Sequence, residues 1–279
     1  MLIPAFMILV ALGALVGSRP VAAQEPSRLL VVATTTSLQE TGLLDSLAPL
    51  FQERTGMRLR VVAVGSGQAL RMGERGDADV VLVHSPAAEE AFMRAGFGVR
   101  RQVIASNFFT IAGAPDDPAN VKTAPSAAEA LRRIAGSNAV FVSRGDSSGT
   151  HAREMALWRQ AGERPGWPGY LESGQGQTAT LLVAAERRGY ALTDRATLAS
   201  LRDRIALVPL REPEPGLLNV YHVIELNPAG RPRLNVAGAR AFADFLTSEP
   251  IQDLLADFGR ARFGEPLFLP ARGIEPRGP

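Results

Sequence analysis

The sequence predicts an α/β protein made of two lobes that are joined by two hinge crossings. Buried-strand and helix patterns alternate three times from Arg28 onward, which is typical of a parallel sheet. A second α/β rhythm begins at Ser126, and long β-prone runs at residues 101–113 and 217–226 separate the two regions. Because one run leads out of the first region and the other leads back, we expect a hinged pair of lobes that closes on a ligand.

Three apolar, β-branched runs predict the strands of the first lobe, at residues 28–33, 58–64 and 79–83. After the first strand, Ser37 and Glu40 have the spacing of a capping box, which predicts a helix that ends at Gly56. Pro49 is expected to bend or split this helix.

The loops that follow these strands are rich in hydroxyl groups and glycine and poor in charge. They are residues 34–37, 65–68 and 84–85. In such sheets the ligand lies beyond the carboxyl ends of the strands, where loops lead into helix N-termini. Hydroxyl and backbone N–H groups are hydrogen-bond donors, so this edge is predicted to hold an anion.

The second lobe contains the stretch Phe-Val-Ser-Arg-Gly-Asp-Ser-Ser-Gly-Thr-His at residues 141–151. A strand over residues 139–143 and helical spacing from Thr150 predict a tight turn between them. Such a turn directs unpaired backbone N–H groups and the positive end of a helix dipole at one point. The guanidinium of Arg144 and nearby serine and threonine hydroxyls make this turn a predicted oxyanion site.

The remaining patterns complete the two lobes. Asp194 is expected to cap a helix after a short strand, and two more helices are predicted over residues 236–246 and 250–258. The predicted division is residues 1–23 as a signal peptide, 28–104 plus 222–269 as lobe 1, 110–216 as lobe 2, and 270–279 as a flexible tail.

The N-terminal segment has the pattern of an export signal. Residues 2–16 are almost wholly apolar, and Val21-Ala22-Ala23 supplies small residues for a cleavage site. The apolar run is short for a membrane span, which predicts cleavage after Ala23 and a periplasmic or cell-surface location. No Lys or Arg precedes the run, so an uncleaved anchor is the alternative.

Composition excludes several classes of protein. Without the signal segment the chain has 29 Lys and Arg against 28 Asp and Glu, and this balance argues against nucleic-acid binding. The absence of Cys excludes thiol catalysis and Cys-ligated zinc. The three His residues have no spacing typical of a metal site, so we expect neither a metal nor a cofactor.

Taken together, the motifs resemble the tungstate-binding periplasmic proteins of ABC importers, from about residue 29 to residue 268. The matching stretches are Val-Val-Ala-Thr-Thr-Thr-Ser (31–37), Val-Gly-Ser-Gly-Gln-Ala-Leu (64–70), Asp-Val-Val-Leu-Val-His (79–84), the 141–151 turn, and Tyr-Ala-Leu-Thr-Asp-Arg-Ala-Thr (190–197). The resemblance implies the type II periplasmic-binding-protein fold, a tungstate or molybdate ligand, a membrane permease as partner, and no enzymatic activity. We also expect a monomer.

By position, the resemblance implies a set of ligand-binding residues from both lobes. They are Thr35, Thr36, Ser37 and Ser66 from lobe 1, and Arg144, Ser148, Gly149 and Thr150 from lobe 2. Weaker candidates, for which helix capping is the default interpretation, are Gln177, Thr193 and Asp194. The family carries Asn-His-Asp in its hinge strand, whereas this chain has Ser-Asn-Phe at residues 106–108, so a contribution from the hinge is an open question.

The donor set favours a proton-free anion. Tungstate and molybdate carry no proton at neutral pH, whereas hydrogen phosphate carries one that requires an acceptor such as a buried carboxylate. The lobe 1 loops contain no carboxylate except Glu40, which the capping box is expected to occupy. Phosphate-binding proteins have a similar turn with an Arg, an Asp and Ser-Gly-Thr. Because Asp146 is present in this turn, a phosphate receptor is the alternative hypothesis.

An alternative hypothesis from another class of protein is that the chain is a secreted serine hydrolase. Residues 145–149 match Gly-x-Ser-x-Gly, with Asp194 and His222 following in the order of a hydrolase triad. This hypothesis leaves the hydroxyl-rich loops and the paired crossings unexplained, and His222 lies within a predicted strand. We therefore consider it the least favoured alternative.

Overall fold

The computed structural model of the chain describes residues 29–163 and 165–272. The predicted signal peptide, with its anchor alternative, and residues 273–279 of the predicted tail lie outside these ranges. Within the described ranges, no helix combines the length and apolar character needed to cross a bilayer.

Strands and helices alternate through most of the chain. The strands are β1 (Leu29–Thr35), β2 (Arg58–Val64), β3 (Val80–Val83), β4 (Gly98–Gly113), β5 (Phe141–Ser143), β6 (Tyr170–Glu172), β7 (Ala191–Asp194), β8 (Val208–Pro209), β9 (Leu218–Leu226) and β10 (Leu269–Pro270). The α-helices are α1 (Thr36–Glu40), α2 (Leu43–Thr55), α3 (Ser66–Arg75), α4 (Pro86–Arg94), α5 (Ala127–Gly136), α6 (Gly149–Ala161), α7 (Gln177–Glu186), α8 (Arg195–Ser200), α9 (Val236–Thr247), α10 (Glu249–Asp257) and α11 (Arg260–Phe263).

The main sheet is continuous between the two halves of the molecule. Its strand order is β10-β4-β9-β3-β1-β2, with β7 and β8 also pairing with β4. As predicted, β1 pairs in parallel with β2 and β3. The long strand β4 pairs with β9 as far as Phe108, and from Phe109 onward it pairs with β7. This change of pairing strand marks the point where β4 passes from the first lobe into the second, and β9 is the strand by which the chain returns to the first lobe.

Each half has its own hydrophobic core. In the first, Phe51 packs edge-on against Phe242 with ring centroids 5.2 Å apart. In the second, Phe141 packs in the same manner against Trp158 at 5.3 Å. Because separate cores let two bodies move without unfolding, the architecture is the two-lobed α/β fold with two hinge crossings that the sequence predicts.

The first predicted helix is in fact two helices. The break lies at Gly42, which has φ +77° and precedes α2. A left-handed backbone conformation costs glycine little, so the chain turns there. Pro49 lies inside α2, and the prediction that it splits the helix is wrong.

The predicted capping box is also wrong. Thr35, not Ser37, is the N-cap of α1, and its Oγ1 accepts a hydrogen bond from the Leu38 backbone N–H at 3.3 Å. Glu40 is therefore not part of a cap. Its Oε2 instead accepts a hydrogen bond from the Thr178 hydroxyl of the other lobe at 2.8 Å.

The chain is still part of the sheet where the flexible tail was predicted to begin. Pro270 pairs with Ala105 of β4, and the Ala271 backbone N–H donates to Gln252 Oε1 at 2.7 Å. These contacts hold the C-terminal end of the described chain against lobe 1.

Candidate anion-binding site

The hydroxyl groups that follow β1 have different roles. Thr34 Oγ1 donates to the Leu82 carbonyl oxygen at 2.8 Å, so this side chain ties β1 to β3. Thr35 caps α1, and Ser37 Oγ lies 3.3 Å from Thr35 Oγ1. Both are buried, whereas Thr36 is half-buried. The Thr35 oxygen accepts the cap hydrogen bond, so its hydroxyl hydrogen can be donated elsewhere.

The second loop brings one buried hydroxyl to the start of α3. Ser66 is 1% exposed, and its Oγ has no hydrogen-bond partner among the described residues. A buried donor without a partner costs about 1–3 kcal/mol, so an acceptor placed there stabilises the protein. The neighbouring Gly67 backbone N–H donates to the Ser147 carbonyl oxygen of the other lobe at 3.2 Å.

The turn before α6 has the predicted form. Gly145 adopts φ +56°, which glycine reaches without strain. Asp146 Oδ1 accepts a hydrogen bond from the Ser148 backbone N–H at 3.0 Å, as expected of a turn acceptor. Ser148 caps α6, and its Oγ accepts from the His151 backbone N–H at 3.1 Å. The first N–H groups of α6 are thereby directed at the space between the lobes.

Arg144 is 4% exposed and is held in one orientation. Its guanidinium pairs with Asp146, and its Nη1 donates to Gln177 Oε1 at 3.2 Å. The Gln177 Nε2 group donates to the Leu192 carbonyl oxygen at 3.0 Å, which fixes the direction of this amide. The Nε–H of Arg144 has no partner within residues 29–163 and 165–272. One donor of a fixed cation is therefore free to bind an anion.

Thr150 completes a group of unpaired donors. It is fully buried at the start of α6, and its Oγ1 has no hydrogen-bond partner in the described part of the chain. Ser66, Arg144 and Thr150 all belong to the predicted site, and they come from both lobes. Buried polar atoms are normally satisfied, so this grouping indicates a ligand position.

The two lobes are in contact around this position. A Cβ atom added to Gly149 would lie 2.8 Å from the backbone oxygen of His84, so only glycine allows this approach. Together with the hydrogen bonds from Gly67 to Ser147 and from Thr178 to Glu40, this contact shows the lobes closed on one another. Closure excludes water and strengthens each hydrogen bond within.

Glu40 closes one side of the site. Burial raises the pKa of its carboxyl group above the ordinary value of 4.5, although the Thr178 hydrogen bond and the charge of Arg144 act in the opposite direction. This carboxyl group therefore loses its proton at a higher pH than an ordinary glutamate does.

Three residues that were not among the predicted site residues lie behind it. His84 Nε2 lies 3.3 Å from Ser37 Oγ, and His84 Nδ1 lies 2.9 Å from Asn219 Oδ1. Asn219 in turn contacts Asn107 of β4, so the hinge strand does reach the site through an intermediate residue. His84 stands in the third loop of the predicted ligand edge, and that position was the available signal. Asn107 belongs to the hinge tripeptide whose contribution the sequence left open, and Asn219 carries no local signal.

The hydrolase triad is not assembled. Asp194 caps α8 and accepts the Thr197 backbone N–H at 2.9 Å. His222 Nδ1 lies 2.8 Å from the Glu89 carboxylate, and no hydrogen bond joins His222 to Ser147 or Asp194 among the described residues. The described residues also contain no group of three or more His, Asp or Glu side chains arranged to hold a metal ion.

Two lobes that close on buried hydrogen-bond donors define a periplasmic-binding-protein-like solute receptor, and residues 20–250 match the PBP superfamily domain. The tungstate-binding protein TupA of Peptoclostridium acidaminophilum is 42% identical over 243 residues, which are 86% of this chain and 85% of that protein. The chain therefore belongs to the TupA family within the PBP superfamily.

Solved structures agree with this assignment. A tungstate ABC transporter protein from Geobacter sulfurreducens superposes with a TM-score of 0.77 at 41% identity, covering 82% of this chain and 98% of that one. The tungstate-binding protein TupA from Desulfovibrio alaskensis G20 gives a TM-score of 0.72 at 46% identity, covering 87% and 98%. These relatives are described as a tungstate ABC transporter protein and a tungstate-binding protein, and not as enzymes.

Proposed function

We propose that this chain is the extracytoplasmic receptor of an ABC importer and that it encloses one tungstate ion between its lobes. The observation that carries the proposal is that three predicted site residues from the two lobes each have a buried donor without a hydrogen-bond partner in the described part of the chain: Ser66 Oγ, Arg144 Nε and Thr150 Oγ1. A tetrahedral dianion without protons accepts hydrogen bonds on every side, so it suits a site made of donors.

The proposed contacts extend this set to both loops of lobe 1 and to the turn of lobe 2. They are Thr35, Thr36, Ser37 and Ser66, and Arg144, Ser148, Gly149 and Thr150. From lobe 2, the first backbone N–H groups of α6 supply neutral donors at the positive end of a helix dipole. Arg144 supplies the full positive charge.

The carboxylates near the site are engaged, and this favours a proton-free ligand over hydrogen phosphate. Asp146 pairs with Arg144 and accepts from Ser148. Glu40 accepts from Thr178. Both carboxylates thus already have hydrogen-bond partners, whereas the phosphate alternative depends on a free proton acceptor. Molybdate has the same charge and shape as tungstate and is expected to bind as well.

The remaining parts of the proposal concern the cell. The receptor is expected to be exported, to act as a monomer in the periplasm or at the cell surface without a cofactor, and to deliver its ion to a membrane permease. The relatives named above belong to tungstate transport, and their similarity over most of the chain supports this role.

Calorimetric titration of the mature protein with tungstate, molybdate, sulfate and phosphate tests the proposal. We expect one tungstate per chain, bound about 10³-fold or more tightly than phosphate or sulfate, a difference of ~4 kcal/mol. Tighter binding of phosphate, or an esterase activity that Ser147→Ala abolishes, contradicts it.

Thr150→Val is expected to weaken tungstate binding about tenfold or more, or ~1.4 kcal/mol, because it removes one donor to the anion and keeps the side-chain shape. The matched control is Thr34→Val, whose hydroxyl bonds the Leu82 carbonyl oxygen and not the site. The control should lower the melting temperature and leave the affinity unchanged. Equal affinity losses in the two variants would show that the effect is structural.

Glu40→Gln is expected to tighten tungstate binding about threefold at neutral pH, which corresponds to less than ~1 kcal/mol for a partly exposed charge. The change removes a carboxylate charge beside a dianion and keeps an acceptor for the Thr178 hydroxyl. Glu186→Gln, at the exposed far end of α7, removes the same charge and should change the affinity little. Weaker binding by the Glu40 variant is the outcome that contradicts this prediction.

A further inference from the structure

A chain of buried side chains crosses the hinge and ends at the ligand site. Asp194 Oδ1 accepts from Asn107 Nδ2 at 3.3 Å, and Asn107 Oδ1 accepts from Asn219 Nδ2 at 2.8 Å. Asn219 Oδ1 lies 2.9 Å from His84 Nδ1, and His84 Nε2 lies 3.3 Å from Ser37 Oγ. Each of these residues is 4% exposed or less. The chain joins lobe 2, both crossing strands and lobe 1.

The carboxylate at one end fixes the direction of every hydrogen bond. Asp194 accepts hydrogen bonds from the backbone N–H and the hydroxyl of Thr197, so Asn107 presents its NH₂ group to this carboxylate and its carbonyl oxygen to Asn219. Asn219 must then present its own NH₂ group to Asn107 and its carbonyl oxygen to His84. The Nδ1 atom of His84 therefore carries a hydrogen in either charge state of the ring.

This fixed direction makes the Ser37 hydroxyl depend on the charge of His84. In the neutral ring Nε2 has a lone pair, and the one hydrogen of Ser37 has two protein acceptors at 3.3 Å, His84 Nε2 and Thr35 Oγ1. The serine then offers only lone pairs to an anion. In the protonated ring Nε2 carries a hydrogen and donates to Ser37 Oγ, so His84 no longer accepts the serine hydrogen, which then turns to the ligand in place of Thr35 Oγ1.

The charges around the site favour the protonated ring when a dianion is present. Arg144 supplies one positive charge, but Asp146 already pairs with it, and the buried Asp194 adds another negative charge. A dianion enclosed with these groups leaves the site strongly negative. His84 is the buried group beside Ser37 that can gain a positive charge, and buried charge is stable only when it is balanced.

We propose that His84 takes up one proton from solvent as the lobes close on tungstate and that this proton turns the Ser37 hydroxyl from His84 towards the ion. The inference rests on the proposed function. No covalent bond to the ligand forms: water or buffer gives a proton to His84 Nε2, and the imidazolium then donates to Ser37 Oγ.

Some of the groups that face His84 raise its pKa and others lower it. Burial lowers the pKa of His84 from its ordinary value of 6.5, and Arg144 from the α6 turn also lowers it. Asp194 at the start of α8, Glu89 of α4 and the hydrogen bond to Asn219 of β9 raise it. The ring of Tyr221 in β9 packs against the His84 ring at a tilt, with centroids 4.9 Å apart, and burial raises the pKa of Tyr221 well above its ordinary value, which keeps it neutral. A bound dianion would raise the pKa of His84 further, so tungstate binding and protonation of His84 reinforce each other.

The test is calorimetric titration with tungstate in buffers of different ionisation enthalpy, between about pH 7 and pH 9. We expect an uptake that approaches one proton per ion and a Kd that rises up to about tenfold per pH unit. His84→Gln should abolish the uptake and make the Kd independent of pH. His151→Gln and His222→Gln, which change the other two histidines, should retain both effects.

A second measurement does not depend on any variant. In the wild-type protein with ¹⁵N-labelled histidine, His84 Nε2 should change from a lone-pair signal to an N–H signal on addition of tungstate, while Nδ1 stays protonated. Tungstate binding without proton uptake, or with uptake that survives His84→Gln, overturns this inference and leaves the receptor function intact. Failure of tungstate to bind at any pH overturns the receptor function itself.

Discussion

Arg144→Met is expected to weaken tungstate binding by about 10²- to 10³-fold, or ~3–4 kcal/mol, the largest effect of any single side chain. The variant deletes the permanent positive charge of the site and the unpaired Nε–H donor while keeping an apolar stem of similar length. Because the guanidinium is 4% exposed, water does not replace it when the lobes are closed. The measurement is the Kd from calorimetric titration.

Two matched variants separate the ligand contact from other effects of this change. Asp146→Asn tests whether the loss comes from a carboxylate left unpaired, and it should bind tungstate at least as tightly as the wild type. Arg211→Met removes another buried guanidinium of lobe 2, which pairs with Glu214, and should lower stability without changing affinity. A loss below about tenfold for Arg144→Met would show that the binding charge is elsewhere.

The strands could be predicted because their sequence signal is local. Apolar, β-branched runs gave β1, β2 and β3 to within a few residues, and the two long runs gave the crossing strands β4 and β9. The helix after β1 was harder. Its apolar spacing continues across Gly42, so the break at that residue is hidden by the same pattern that reveals the helix.

The N-cap residue of α1 could not be predicted from the local sequence pattern. Residues 34–37 are four consecutive hydroxyl side chains, and any of them could cap a helix. The pairing of β1 with β3 decides the matter, since Thr34 lies opposite Leu82 and leaves Thr35 as the first residue beyond that pairing. The cap position is thus set by a strand 48 positions away.

The residues behind the site have even less local signal. His84 and Asn219 are 135 positions apart, and Asn219 and Asn107 are 112 apart. Only the antiparallel pairing of β4 with β9 places both asparagines side by side, at Asn107 opposite Asn219. The donors of the site could be predicted because they lie in loops and at the starts of helices. The network behind them could not, because it is assembled by the strand pairing at the hinge.

Gly149→Ala is expected to weaken tungstate binding about 10²-fold, or ~2.7 kcal/mol, by preventing full closure. The added Cβ would lie 2.8 Å from the His84 backbone oxygen and 3.2 Å from its ring. A backbone atom next to a paired strand cannot move aside as a flexible side chain does. Gly149 begins α6 with ordinary helical geometry, so alanine should not destabilise lobe 2 itself.

The control is Gly136→Ala, at the end of α5, where an added Cβ meets no atom within 4 Å. It should leave affinity unchanged. Small-angle scattering should show that tungstate compacts the wild type and the control but not the Gly149 variant, while all three ligand-free proteins melt at similar temperatures. If the Gly149 variant compacts normally and still binds weakly, the loss arises at the N-terminus of α6 and not in closure. Full affinity in this variant would mean that the close approach of α6 to His84 is not needed to hold the ion.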